Sequence, residues 1–173
     1  MAYVSDYLTD YTNDEFITRH NVVSVLEGML EQGNFTNRFL YDFICEYWSL
    51  IENGYDLEEL CEYLIECRYC SSCCAELTKQ LKKQLKKQMD TDGYLTIYRG
   101  FNHTSRPDGN SFTLSREKAI WFANRYASMG KEKSYVNKYK IHISDVLAFI
   151  TNRGEAEIVA WPDDVILLEQ INY

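Results

Sequence analysis

Apolar residues in the first half of the chain recur at helical intervals. Asn13-Asp14-Glu15 reads as a capped start, and Phe16, Ile17, Val22, Val23, Leu26, Met29 and Leu30 follow near a 3.6-residue period until Gly33-Asn34 stops the run. Thr36 is placed to cap a second helix carrying Phe39, Leu40, Phe43, Ile44, Tyr47, Trp48 and Ile51, closed by Asn53-Gly54. Asp56 opens a third, with Leu57, Leu60, Leu64, Cys67, Cys74, Leu77, Leu81 and Leu85. The pattern predicts a helical hairpin or three-helix bundle whose last helix runs long.

The period then changes. Tyr94-Leu95-Thr96-Ile97-Tyr98 alternates and predicts a strand, Pro107-Asp108-Gly109-Asn110 a turn, and Ser111-Phe112-Thr113-Leu114 a second short strand. Ser115 is a plausible N-cap for a helix through Ala119, Trp121, Phe122, Ala123 and Tyr126, ended by Gly130. In that helical pattern Trp121 and Phe122 read as core. Tyr135 to Ile143, Ile158 to Trp161 and Val165 to Ile171 read as strands, and Phe149 to Gly154 as a loop. The expected fold is therefore α+β, an N-terminal helical bundle followed by a mostly antiparallel sheet.

Charge divides the chain at the same place. Residues 1–78 hold 15 acidic and 3 basic side chains, residues 79–90 a net +4 from Lys79, Lys82, Lys83, Lys86, Lys87 and Asp90, and residues 91–173 ten of each sign. The reading is two units: an acidic helical domain over 1–90 and a second domain over 91–173. A net charge of −8 over 173 residues argues against direct nucleic-acid binding and suits a basic protein partner. The start of the chain has neither a basic n-region nor an apolar h-region, and no run approaches the ~20 apolar residues of a membrane span. The expected location is cytoplasmic.

Two constellations can carry chemistry. Cys61, Cys67, Cys70, Cys73 and Cys74 are crowded, but their spacing fits no common metal signature. On a continuous helix Cys67, Cys70 and Cys74 share a face with Leu60, Leu64, Leu77 and Leu81, where cysteine acts as a small hydrophobe. No metal is expected. The lysines at 79–87 lie opposite Leu77, Leu81 and Leu85 and read as a solvated face that can also help bind phosphate or an acidic partner. The second constellation is Arg99 at a strand end, Ser111 and Thr113 on the next strand, and Glu155 and Glu157 on a later one. Alternation sends both glutamates to one side, where like charges repel unless a cation faces them.

The ordered set Tyr98-Arg99-Gly100, Ser111-x-Thr113 with the helix of Trp121-Phe122-Ala123 behind it, and Glu155-x-Glu157 resembles the Arg–Ser–Glu class of ADP-ribosyltransferases, nearest to its small phage and bacterial members. The likeness covers about residues 94–173. It implies an ADP-ribosyltransferase-like sheet domain with NAD+ as substrate and no metal cofactor. By resemblance, Glu157 is the catalytic glutamate that stabilises positive charge on the ribose, and Ser111 holds Glu157 and helps seat that ribose. Thr113 assists, and Arg99 grips the pyrophosphate. Gly100 lets the backbone approach the nicotinamide carboxamide, while Tyr98 or Phe112 stacks on the nicotinamide or fills the core. Glu155, two residues before the catalytic position, implies transfer to arginine. The chain departs from the toxin members of the class in one respect: only eleven residues separate Arg99 from Ser111. The implied function is NAD-dependent mono-ADP-ribosylation of a protein, in the manner of a phage effector inactivating a nucleic-acid-handling or defence complex of its host. The alternative is a non-enzymatic acidic inhibitor that mimics nucleic acid, with an inert ADP-ribosyltransferase-like scaffold.

Overall fold

The computed structural model describes residues 17–18, 20–33, 35–50, 54–102, 108–125, 133–154 and 156–172. It is α+β and falls into two compact units, residues 1–74 and 75–173. The helix start expected at Asn13 to Phe16 lies outside the described residues.

The first unit is built on α1 (Val22–Gln32), α2 (Asn37–Tyr47) and α3 (Gly54–Tyr69). Gly33 ends α1 in the left-handed region, at φ +64°, with its N–H donating to the Leu30 carbonyl. Thr36 caps α2 as its sequence position suggests, its hydroxyl accepting from the Phe39 N–H at 3.2 Å. Gly54, read above as a stop, is instead the first residue of α3. Val22, Leu26, Met29, Leu40, Phe43, Ile44, Trp48, Leu60 and Leu64 are buried, so the helical periodicity identifies the core of this unit correctly.

The long third helix does not form. α3 ends at Tyr69, residues Cys70 to Cys73 make a turn in which Cys70 and Cys73 are disulfide-bonded, and α4 (Cys74–Leu85) begins immediately after. An apolar period continues across the break because Cys67 and Leu77 are both buried, which is why the sequence reads as one helix. Of the three cysteines expected to share the leucine face as small hydrophobes, only Cys67 is buried; Cys70 is half-buried and bonded to Cys73, and Cys74 is half-buried at the start of α4, while Cys61 is buried as well. Burial pushes the Cys67 thiol up to about 11. Burial, with Asp42 adding to it, pushes Cys45 up to about 12.

The second unit contains one six-stranded antiparallel sheet in the order β4-β5-β2-β1-β3-β6: β1 (Tyr94–Asn102), β2 (Ser111–Thr113), β3 (Ser134–His142), β4 (Val146–Ile150), β5 (Glu157–Ala160) and β6 (Ile166–Asn172). β4 is absent from the sequence reading. Val146, Leu147, Ala148 and Ile150 are all buried, so the segment shows no alternation, and its last two residues fall inside the expected loop. Leu81 and Leu85 of α4 pack on Leu95 and Ile97 of β1, Phe112, Tyr139, Ile141 and Ile158. The lysine-rich segment, grouped above with the acidic helices, thus shares the core of the sheet.

α5 (Arg116–Asn124) lies on the opposite face, Ala119 and Ala123 packing with Val136 and Tyr98. Ser115 caps it, accepting from the Lys118 N–H at 3.2 Å. Gly130 lies outside the described residues. Trp121 is not core: it is 52 % exposed, and Lys118 and Arg125 lie over its ring. The two alanines already fill the inward stripe of this short helix. Among the described residues no helix is long and apolar enough to cross a membrane.

Candidate active site

The sheet has a seam. β1 pairs with β3 over nine consecutive positions, from Tyr94↔His142 to Asn102↔Ser134, but with β2 at only one, Tyr98↔Thr113. Past that point the two strands part. The Asn110 carbonyl accepts from the Ala160 N–H at 3.0 Å, and the Leu114 N–H donates to the Ala156 carbonyl at 3.2 Å, so both ends of β2 are tied to β5. Alternation then turns the intervening Ser111 carbonyl toward β1. Among the described residues no strand meets it there. The guanidinium of Arg99 does, Nη1 donating to the Ser111 carbonyl at 2.6 Å. A charged side chain takes the place of a ladder bond.

Ser111 makes its second link through its hydroxyl, which donates to Oε1 of Glu157. The register explains this contact. Thr113 is directly opposite Glu157, so Ser111, two residues earlier, stands diagonal to it on the same face. A hydroxyl on a carboxylate is a charge-assisted bond, worth about 1.5–3 kcal/mol when shielded from water. Burial pulls the Arg99 guanidinium below its usual value, while Tyr139, Asp108 and Glu157 act in the other direction. A half-buried cation, a hydroxyl and a half-buried carboxylate are therefore joined through one residue, although they are distant in the chain.

The other expected site residues fall around this core. Thr113 is buried, and its Oγ1 accepts from the Ser115 N–H at 3.1 Å, fixing the turn from β2 into α5. Gly100 faces α5 so closely that a Cβ would overlap the Ala119 carbonyl. It has a packing reason to be glycine, apart from any ligand. Tyr98 is half-buried against Ala119, Ala123 and Val136. Phe112 is in the core, edge-on to Tyr139 with ring centroids 5.4 Å apart. Glu155 lies outside the described residues, as does His103. No group of three or more His, Cys, Asp or Glu among the described residues is arranged to hold a metal ion.

The structure adds residues that the sequence reading passes over. Gly109 lies against the Arg99 guanidinium, which occupies the space a Cβ would need. Gly109 thus covers the arginine. The Asp-Gly pair is visible as a turn signal, but its packing partner is not. Asn110 is buried with its Nδ2 unpartnered. Ala156 sits at φ +44°, left-handed for a residue with a Cβ, immediately before Glu157. Ala156→Gly is expected to raise stability by about 0.5 kcal/mol, since relief of the left-handed strain exceeds the added chain entropy. Its melting midpoint against that of the parent chain checks this. A fall would mean that the strain is absent.

The chain matches no family model, no curated protein sequence and no solved structure. What the arrangement can do therefore has to be argued from its chemistry. A pre-set carboxylate favours a positive charge developing beside it, and a forked cation bonded to the same serine favours a phosphate-bearing ligand.

Proposed function

We propose that residues 75–173 form an ADP-ribosyltransferase-like domain that moves ADP-ribose from NAD+ to a protein side chain, arginine being the preferred acceptor. The observation that carries the proposal is the bond from the Ser111 hydroxyl to the Glu157 carboxylate, made beside a guanidinium that grips the same serine. Arg99 binds the pyrophosphate in forked geometry. Ser111 and Thr113 flank the ribose, and Tyr98 borders the nicotinamide, whereas Phe112 is taken up by the core and the space beside Gly100 by α5. The bond from ribose C1′ to the nicotinamide nitrogen breaks with its electron pair leaving on nicotinamide. The ribose becomes oxocarbenium-like, and Glu157 stabilises that charge. A nitrogen of the acceptor guanidinium then bonds to C1′ and gives up a proton. Glu155 orients the acceptor by a bidentate pair.

Residues 1–74 hold 14 acidic and 3 basic side chains, which suits recruitment of a basic, nucleic-acid-handling protein in a host cytoplasm, as a phage effector would require. The same charge favours the second reading, a non-enzymatic inhibitor that mimics nucleic acid. Incubation with NAD+ labelled in its adenylate half, together with a bacterial lysate, separates the two. The transferase reading expects free nicotinamide and an ADP-ribosyl mass on arginine of a basic protein. Nicotinamide without labelled protein would make water the acceptor. If neither is released or labelled while a target is still inhibited, the transferase reading is wrong.

A further inference from the structure

Lys79, Lys82 and Lys83 lie on α4, and Lys86 and Lys87 on the turn that follows. That turn keeps a helical curl, because the Met89 N–H donates to the Leu85 carbonyl four residues back. At 3.6 residues per turn, Lys79, Lys82, Lys83 and Lys86 fall within about 100° of the circumference. Leu77, Leu81 and Leu85 are buried on the other side, so the rotation of the helix is fixed and the lysines are held outward as a set. All five are exposed. Among the described residues none of them pairs with a carboxylate. Lys79–Lys83 and Lys82–Lys86 are like-charge pairs at i,i+4, so the bare helix repels itself along this face. A counter-charge from outside relieves that repulsion.

We infer that this face is a docking surface for the phosphate backbone of nucleic acid, read without regard to sequence. Whole-chain charge hides the property. Residues 75–173 hold 15 basic and 12 acidic side chains, against the strongly acidic first unit. The outward arc carries no aromatic residue and no apolar one larger than Ala75, with Glu76 at its N-terminal end, and Gln80 borders the lysines. A protein interface centres on buried aromatic or apolar anchors, which this face lacks. Lysine and glutamine are the residue types that position a sugar–phosphate backbone. The inference goes beyond the transferase reading and does not depend on it. Joined to that reading, it names the target as a protein already seated on nucleic acid.

The test is fluorescence anisotropy of a labelled duplex of about 20 base pairs, titrated with the full chain in the absence of NAD+ across roughly 25–200 mM salt. The parent is expected to bind in the micromolar range at the lowest salt, with log K falling against log salt at a slope near −4. The quadruple variant K79Q/K82Q/K83Q/K86Q is expected to lose at least tenfold in affinity and to flatten the slope by about 3. K82Q/K83Q, with half the change, guards against misfolding and is expected to flatten it by about 2. Matching circular dichroism melts confirm that each variant folds. Unchanged binding by the variants overturns the inference. So does a polyglutamate peptide that competes as well as unlabelled duplex, since the face would then fit an acidic polypeptide. No outcome touches NAD+ turnover, so this inference and the transferase reading fail separately.

Discussion

Glu157→Gln is expected to reduce nicotinamide release from NAD+ by about 10²- to 10³-fold while leaving the fold intact. The replacement keeps the shape and a carbonyl oxygen, so the Ser111 hydroxyl still has an acceptor on the neighbouring strand. What disappears is the negative charge. A neutral amide gives little help to a ribose that is becoming a cation, because catalysis draws on interactions stronger in the transition state than in the bound substrate. Arg99 remains charged, since Glu157 is only one of three groups acting against its burial and arginine keeps its proton in proteins. NAD+ affinity should therefore change little, and the loss should fall on turnover. Steady-state release assays on parent and variant, with a melting curve for each, check the expectation. A variant as fast as the parent would remove Glu157 from the reaction. Inhibition of a target by the variant, undiminished and without NAD+, would favour the mimic instead.

The second large effect is on stability. Gly100→Ala places a methyl group where the Ala119 carbonyl of α5 already lies, with the Ala123 amide also close. Both obstacles are backbone, held by the helix and by the packing of Ala119, Ala123 and Val136, so neither can step aside. The expected cost is about 3 kcal/mol, the upper part of the usual range for overpacking. For a unit of this size that lowers the melting midpoint by roughly 12–20 °C. Gly28→Ala is the matched control. Its methyl meets nothing within 4 Å in the middle of α1, so stability is kept or slightly raised. If the two variants melt alike, the close approach of α5 to β1 is not what fixes glycine at position 100.

Much of this architecture is legible in the residues. Thr36 and Ser115 announce their helices because a side-chain oxygen just ahead of an apolar period has one good use, and both make the expected bond. Tyr94 to Tyr98 alternates because one face of β1 packs against α4 and the other is more open. β4 is missed for the converse reason: buried almost throughout, it carries no period. The break at Cys70 to Cys73 is hidden because burial continues on both sides of it. Trp121 misleads because an apolar period records where a helix can face inward, and Ala119 and Ala123 suffice. In the candidate site, the link from Ser111 to Glu157 is implied by the resemblance alone, since strand pattern does not supply the register that brings them together. Gly109 over Arg99 and the left-handed Ala156 are not legible either, since each depends on the path of a connection that no local pattern encodes.

Where β1 and β2 share a single register position, cohesion passes from the backbone to side chains: the Arg99 bond to the Ser111 carbonyl and the contact of Phe112 with Tyr139 span the line that ladder bonds span elsewhere. Amide exchange in the sheet is therefore expected to be fastest along that line, since a nine-position ladder protects its amides better than a single pair does.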